Sequence, residues 1–137
     1  MLMLSGAHFY FSFEPEPEER INLELSGKVL SIELADTPEK RRSGLSDREE
    51  ISYDEGMFFI FESIDYHSMW MKDMNFSIDI IWIDEDLKVV DYKREVSPDT
   101  FPEAFSSTDP ALYVLETKSG FVDRYSVEVG DKVKLDL

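Results

Sequence analysis

The sequence predicts a mainly β protein: a compact, barrel-like or sandwich-like mixed sheet of about seven short strands with two short helices. Short apolar segments alternate with turn residues such as glycine, proline and aspartate along most of the chain, which is typical of such sheets. The chain has 137 residues, of which 42% are hydrophobic and 13% aromatic, and this content is sufficient to fill the core of one domain. Cysteine is absent, so no disulfide supports the fold.

The first half of the chain contains a predicted strand pair, a short helix and a buried strand. Residues 21–25 alternate between apolar and polar, and residues 29–35 form a second apolar segment, so we expect two strands. Thr37, followed by a proline, is typical of a helix start, and Gly44 is well placed to end a short helix. Five consecutive large apolar residues at 57–61 predict a strand that is buried on both faces.

The second half contains the clearest hairpin of the sequence. A buried strand at 77–83 is followed by an acidic turn and a returning strand at 87–92. A short helix is expected from Ser119 and Gly120 to Tyr125. The remaining predicted elements are a segment that includes residues 67–72, a long loop with a short edge strand at 97–110, a strand at 111–117 and a closing strand at 132–135.

Two parts of different composition are predicted: a leader or linker at residues 1–20 and a single globular domain at residues 21–137. The first 13 residues are apolar and aromatic, without a basic flank, and a proline- and glutamate-rich run follows them. We interpret this leader as an edge strand or disordered segment, or alternatively as the remnant of a signal or membrane anchor. With such an anchor the soluble domain would be extracytoplasmic or membrane-tethered; without it we expect a cytoplasmic protein.

The strongly acidic composition excludes several partners. The chain carries 30 acidic and 14 basic residues, which gives a formal net charge of -16. Such a surface repels the phosphates of nucleic acids and of anionic lipids, so we expect neither nucleic acid nor direct lipid binding. We expect a monomer whose partner is an unknown small ligand or protein.

Motifs for common cofactors are absent from the sequence. The chain has no glycine-rich phosphate loop and no glycine-flanked serine of a nucleophile elbow. Its two histidines, His8 and His67, are too few for a histidine-based zinc site without cysteine. We therefore expect no cofactor and no metal.

Two carboxylates occupy positions that predict burial. Asp79 lies in a predicted strand with two apolar faces, and Glu116 shares one face of its strand with apolar residues. A lone buried carboxylate needs a partner or a proton. If the two strands are neighbours, Asp79 and Glu116 could form one polar cluster with Lys72 and Arg42. This cluster is either a structural salt bridge or an acid–base pair with separated pKa values.

Methionines and a tryptophan form a second candidate feature. At strand spacing His67, Met69 and Met71 share one face. We interpret these methionines as core packing, while a soft-metal site for an ion such as copper(I) and a groove for a hydrophobic ligand remain alternatives. The full set of sulfur and aromatic residues is Met57, Met69, Met71, Met74 and Trp70.

Five motifs occur together in a characteristic order. They are Thr37-Pro38 with Arg41-Arg42-Ser43-Gly44-Leu45, Glu55-Gly56-Met57-Phe58-Phe59-Ile60-Phe61, Met69-Trp70-Met71-Lys72-Asp73-Met74 before Ile78-Asp79-Ile80, Tyr113-Val114-Leu115-Glu116 before Gly120, and Val129-Gly130-Asp131. In this combination the chain resembles the domain of unknown function 192 family. The resemblance implies a compact, mostly β fold with a barrel-like sheet and an uncharacterised activity. One departure is Asp73-Met74, where the family usually has Asn-Thr.

The preferred functional hypothesis is a non-enzymatic binding domain for a small ligand or protein. It would use an aromatic and methionine-lined groove around Trp70 and Lys72. The alternative is a hydrolase-type enzyme that uses an Asp79/Glu116 carboxylate pair with Lys72 as an electrostatic aid. The candidate binding residues are Arg42, Met57, Trp70, Met71, Lys72, Asp79 and Glu116.

Overall fold

The structure is a computed structural model that describes residues 6–7, 10–12 and 19–136. Most of the predicted leader at residues 1–20 therefore lies outside the described residues. Within the described ranges, neither α-helix is long and apolar enough to cross a membrane.

The described residues form nine strands, two short α-helices and one 3-10 helix. The strands are β1 (Arg20–Leu25), β2 (Lys28–Ala35), β3 (Glu55–Asp65), β4 (Met69–Trp70), β5 (Ile78–Ile83), β6 (Val89–Val96), β7 (Ala104–Phe105), β8 (Ala111–Lys118) and β9 (Lys134–Asp136). The helices are α1 (Pro38–Ser43) and α2 (Phe121–Arg124), and the 3-10 helix is Pro98–Thr100.

Seven strands form one mixed sheet in the order β6-β5-β8-β3-β2-β1-β9. β2 and β3 run parallel, joined by a crossover that contains α1, whereas the other neighbouring strands of this sheet are antiparallel. β6 and β9 are its edges, so the sheet is open and not closed into a barrel. The predicted mainly β mixed sheet with two short helices is confirmed.

Two apolar clusters lie on the two faces of this sheet, because successive side chains of a strand alternate. On β5, Ile81 belongs to one cluster and Ile80 to the other. We name the first side the α2 face, since Phe121 of α2 packs there, and the second the β4 face, since Met69 of β4 packs there. All six residues of β5 are buried, which confirms the prediction that this strand is covered on both faces.

The ends of α1 agree with the sequence prediction. The Thr37 hydroxyl accepts a hydrogen bond from the Lys40 backbone N–H at 3.2 Å, which is a typical N-cap. The Gly44 N–H donates to the Lys40 carbonyl at 2.9 Å. Gly44 has φ of 48°, a left-handed conformation that glycine adopts without a Cβ clash. The last turn of this helix carries Arg42 toward the β4 face.

The strand spacing that places His67, Met69 and Met71 on one face holds for only part of residues 67–72. Only Met69–Trp70 forms a strand, and it pairs with Ala104–Phe105 in a separate two-stranded sheet. Beyond Trp70 the chain continues as a loop. This loop is fixed by a hydrogen bond from the Ser46 hydroxyl to the Lys72 carbonyl. The short edge strand expected in the long loop is β7, so that part of the prediction is confirmed.

Candidate functional site

A cleft opens on the β4 face between α1 and β4, with a volume of about 110 Å³. We name it the Trp70 cleft. Its walls are mostly aromatic, aliphatic and thioether side chains, and cationic side chains stand around them. The residues that line it include Arg41, Arg42, Leu45, Phe59, Phe61, Met69, Trp70, Lys72, Met74 and Glu116.

Three hydrogen bonds connect the loop after α1 with the loop after β4, which form two sides of the cleft. The Ser46 hydroxyl donates to the Lys72 carbonyl at 2.8 Å, and the Asp47 N–H donates to the Asp73 carbonyl at 2.9 Å. The Asn75 side-chain amide donates to the Arg48 carbonyl at 2.9 Å. The positions of both loops are therefore coupled, and the cleft is a preformed feature of the fold.

The two arginines of α1 differ in their partners. Arg41 donates to the Ile60 carbonyl at 2.9 Å, forms an ion pair with Glu62 at 3.7 Å, and lies over the Phe61 ring. Arg42 is exposed and makes no ion pair in the described part of the chain. Arg41 thus has its contacts within the protein, whereas the Arg42 guanidinium is available to a ligand.

Trp70 and Lys72 line the outer part of the cleft. The Trp70 side chain is 50% exposed, which is unusual for the largest apolar side chain in a domain of this size. The Lys72 ammonium lies 5.8 Å from the centre of the Trp70 ring, and Phe101 packs against the same ring. An apolar surface and a positive charge are therefore presented together.

Glu116 lies at the inner end of the cleft and is only 4% exposed. On β8 it stands opposite Met57 of β3 and Ile80 of β5, so its flanking neighbours in the sheet are apolar. No hydrogen bond or ion pair reaches its carboxyl group from any residue that the structure describes. Burial without a compensating partner raises the pKa of this carboxyl to about 8.

The Glu116 carboxyl faces the open cleft. Every fully buried side-chain nitrogen or oxygen in the described ranges has a hydrogen-bond partner. Because the Glu116 oxygens have none, they must reach a space that water can enter, and Glu116 lines the Trp70 cleft. The cleft therefore ends on an unpaired carboxyl group.

Asp79 is separated from Glu116 by the sheet. The register pairs Asp79 with Thr117, and Glu116 with Ile80, so the two carboxylates point to opposite faces. Asp79 is fully buried on the α2 face and accepts three backbone hydrogen bonds, from the N–H groups of Glu95, Gly120 and Val122 at 2.8, 3.2 and 2.8 Å.

The hypothesis of one polar cluster that contains Asp79 and Glu116 is therefore wrong, because it requires both carboxylates on one face. The same geometry contradicts the alternative of an Asp79/Glu116 acid–base pair in a hydrolase. Asp79 instead holds the start of α2 and the end of β6 in place.

Two further predicted binding residues lie outside the Trp70 cleft. Met71 is 1% exposed and belongs to the core of the β4 face. Met57 is also buried and lines a neighbouring cleft of about 250 Å³ together with Glu33 and Arg48. Neither lines the Trp70 cleft: strand alternation on β3 turns Met57 into the core, and Met71 is enclosed in the loop that follows the end of β4 at Trp70.

The soft-metal alternative involved His67 with two methionines. The His67 ring stacks on Phe61 with 3.7 Å between ring centres, and its Nε2 lies 2.8 Å from the Ser63 carbonyl. Met69 lines the cleft, while Met71 is enclosed in the core. Among the described residues, no group of three histidine or acidic side chains is arranged to hold a metal ion.

Sequence reasoning missed several residues of this region. Phe61 and Ser46 contribute to the cleft, and Glu33, 4% exposed, forms a two-point ion pair with Arg48 at 2.6 Å. The sequence did contain a signal for Glu33, because it is a carboxylate within an otherwise apolar strand. Its partner Arg48 follows in a loop, where no periodic pattern identifies it.

Residues 21–135 match the family of domain of unknown function 192 (DUF192), described as "Uncharacterized ACR". The chain belongs to the DUF192 family. The resemblance inferred from the five motifs is thus confirmed, and the family description assigns no activity.

A curated relative is the UPF0127 protein of Thermococcus sibiricus. It is 33% identical over 114 residues, which cover 78% of this chain and 68% of the relative. Its name likewise states no function.

Two solved structures share the fold. A protein from Sinorhizobium meliloti 1021, described as a candidate transcription regulator, has a TM-score of 0.82 at 29% identity and covers 89% of this chain and 98% of its own. A protein of unknown function from Novosphingobium aromaticivorans has a TM-score of 0.80 at 29% identity, with 84% of each chain covered. The DUF192 fold of this chain therefore agrees with experimentally determined relatives.

Proposed function

We propose that this DUF192 domain is a non-enzymatic binding protein that holds a small organic molecule in the Trp70 cleft. The observation that carries the proposal is the unpaired Glu116 carboxyl at the inner end of an apolar cleft. The Glu116 oxygens reach space that water can enter, so a molecule bound in the cleft can pair with them in place of water.

The surroundings of Glu116 fit the usual composition of a ligand site. Such sites are concave, largely apolar and contain a small number of converging polar groups. Here the walls include Phe59 and Met74, while Arg42 and Lys72 stand near the opening. Among the described residues that line the cleft, Glu116 has no second carboxylate beside it, and acid–base hydrolysis of the usual two-carboxylate type requires one. Binding is therefore favoured over catalysis.

The description of the Sinorhizobium meliloti relative as a candidate transcription regulator does not support DNA binding by this chain. A formal net charge of -16 opposes the phosphate contacts on which nonspecific DNA affinity depends. A small ligand is compatible with this charge, because it needs only the local charges of the cleft.

The two tryptophans provide a direct test of binding. Trp70 is half exposed at the cleft, whereas Trp82 is fully buried and its indole N–H donates to the His67 carbonyl. In a nitrogen-15 NMR spectrum, each indole gives one signal. We expect pentanoate, pentylamine, 5-hydroxypentanoate or 5-aminopentanoate to shift the Trp70 signal and to leave the Trp82 signal unchanged.

The probes need millimolar concentrations. A molecule of about eight non-hydrogen atoms that gains roughly 0.5 kcal/mol per atom binds with a Kd of about 1 mM. The variant Lys72→Met should weaken binding of the acids, whereas Lys93→Met, at an exposed position on the edge strand β6, should not. If all four probes leave Trp70 unchanged at about 20 mM, the proposed function is wrong.

A further inference from the structure

The Trp70 cleft has charges of opposite sign at its two ends. Arg42 and Lys72 lie near the opening and are exposed, and neither forms an ion pair within the described ranges. Glu116 lies at the inner end. In a chain with a net charge of -16, a cationic opening is a local reversal of the surface charge, and such a reversal attracts anions.

The inner end of the cleft favours a positive group. An ammonium ion would pair with the Glu116 carboxylate and satisfy the buried group that has no partner in the described part of the protein. The nearby Phe59 and Phe61 rings would add attraction between a cation and the faces of the rings. An anion at this depth would instead meet a carboxyl group and apolar walls.

These two ends together define a ligand class. We infer that the Trp70 cleft binds a small zwitterion, an amino or ω-amino carboxylic acid, with its ammonium group on Glu116 and its carboxylate on Arg42 and Lys72. This inference rests on the proposed binding function and names the ligand that the same site selects.

The volume of the cleft limits the size of the inserted part. A cavity of about 150 Å³ holds one benzene molecule, and the Trp70 cleft measures about 110 Å³. The enclosed part of the ligand is therefore an ammonium group with a short carbon chain, while the carboxylate stays at the opening beside Lys72. 5-Aminopentanoate has this form and is a suitable probe.

Four probes of matched length separate the contributions of the two ends. By titration at pH 7, with the Trp70 indole signal as readout, 5-aminopentanoate should bind about tenfold more tightly than pentanoate or pentylamine. Glu116→Gln should lower the affinity for 5-aminopentanoate about tenfold and change the affinity for pentanoate by less than about twofold, because only the ammonium contact is lost. Lys72→Met should lower the affinity for both acids. Glu128→Gln, which alters an exposed carboxylate outside the cleft, should leave the affinity for both acids unchanged.

Proton release distinguishes an ammonium from a hydroxyl at Glu116. Because burial raises the pKa of this carboxyl to about 8, the free protein is largely protonated there at pH 6.5. Pairing with an ammonium ion requires that this proton leave, so affinity for 5-aminopentanoate should rise as pH increases from about 6 to 8. A hydroxyl ligand such as 5-hydroxypentanoate accepts a hydrogen bond from the protonated carboxyl and should lose affinity in the same range.

The other charged side chains that line the cleft in the described part of the protein are Arg41, Arg42 and Lys72, while Met57 and Ile80, opposite Glu116 on the adjacent strands, carry no ionisable group. Calorimetry in two buffers with different ionisation enthalpies should detect release of about one proton at pH 6.5, and Glu116→Gln should abolish the release.

The outcomes separate the ligand class from the binding function. If 5-hydroxypentanoate or pentanoate binds as tightly as 5-aminopentanoate, or if no proton is released, the zwitterion inference is overturned while the cleft remains a binding site. If none of the four probes affects Trp70, both the ligand class and the binding function are wrong.

Discussion

Asp79 and Glu116 are buried carboxylates on neighbouring strands, and their surroundings are opposite. Asp79, on the α2 face, accepts three backbone hydrogen bonds. Glu116, on the β4 face, has no partner in the described structure and faces a cleft. A buried carboxylate whose oxygens accept hydrogen bonds from the backbone stabilises the fold. One without a hydrogen-bond partner inside the protein can bind a ligand.

The largest effect that this comparison predicts concerns Asp79. Asp79→Asn should lower the free energy of unfolding by about 3 kcal/mol, because an amide cannot accept the hydrogen bonds that both carboxylate oxygens now receive. Urea denaturation at pH 7 measures this loss, with Asp136→Asn at an exposed position of β9 as the control. A loss below about 1 kcal/mol would contradict the structural role of Asp79.

Glu116 should instead make stability depend on pH. Its ordinary pKa is 4.5 and burial raises the pKa in the folded protein to about 8, so between these values the folded state holds a proton that the unfolded chain has lost. The free energy of unfolding should therefore fall as pH rises from about 5 to 8, by on the order of 4 kcal/mol at most, and then level off.

The matched variant for this pH effect is Glu116→Gln, whose side chain has the same shape and does not titrate. Urea denaturation at several pH values gives the difference between wild type and variant, which removes the contributions of the other acidic groups. We expect the wild type to lose stability relative to Glu116→Gln as the pH increases. Two parallel curves would show that Glu116 is ionised at neutral pH with a partner.

Glu33 provides an intermediate case, since it is buried but neutralised by arginines. Arg48 binds both Glu33 oxygens at 2.6 Å, and Arg20 binds one at 2.7 Å. Arg48→Met should lower the free energy of unfolding by about 2 kcal/mol, because a buried carboxylate loses its two-point partner. Thermal denaturation should show no comparable effect for Arg42→Met, and equal effects of both variants would contradict the distinction between them.

The smallest predicted effect on stability belongs to the opening of the cleft. Lys72→Met should change the free energy of unfolding by less than about 0.5 kcal/mol, since the ammonium is exposed and lies over the Trp70 ring without an ion pair to any described residue. Denaturation in urea tests this expectation. A decrease of the free energy of unfolding by more than about 1.5 kcal/mol would mean that Lys72 stabilises the fold, which contradicts its assignment as a ligand-binding residue.

The sequence predicted the two buried carboxylates but not their separation. Alternation of apolar residues indicated that Asp79 and Glu116 were unusual, and turn residues indicated the strands on which they lie. Their relative face depends on the register between β5 and β8, and a shift of one residue would reverse it. That register depends on contacts between residues that are far apart in the sequence, and the sequence alone does not reveal these contacts.

The cleft itself was predicted only in part. Trp70 and Lys72 were identified because aromatic, sulfur and cationic residues occur together there. Met71 was assigned to the same surface, yet it is enclosed in the core, because the strand ends at Trp70 and the backbone turns into a loop. Ser46 was not identified, since its hydrogen bond to the Lys72 carbonyl joins two loops without periodic patterns.

The most direct measurement of the difference between the two carboxylates is the titration of the glutamate side-chain carbons by carbon-13 NMR. We predict one glutamate carboxyl with a pKa of about 8, and its signal should be absent from the spectrum of Glu116→Gln. Addition of 5-aminopentanoate should shift this titration to lower pH. If every glutamate titrates near its ordinary pKa of 4.5, Glu116 is not an unpaired buried group, and the assignment of the Trp70 cleft as the ligand site loses its basis.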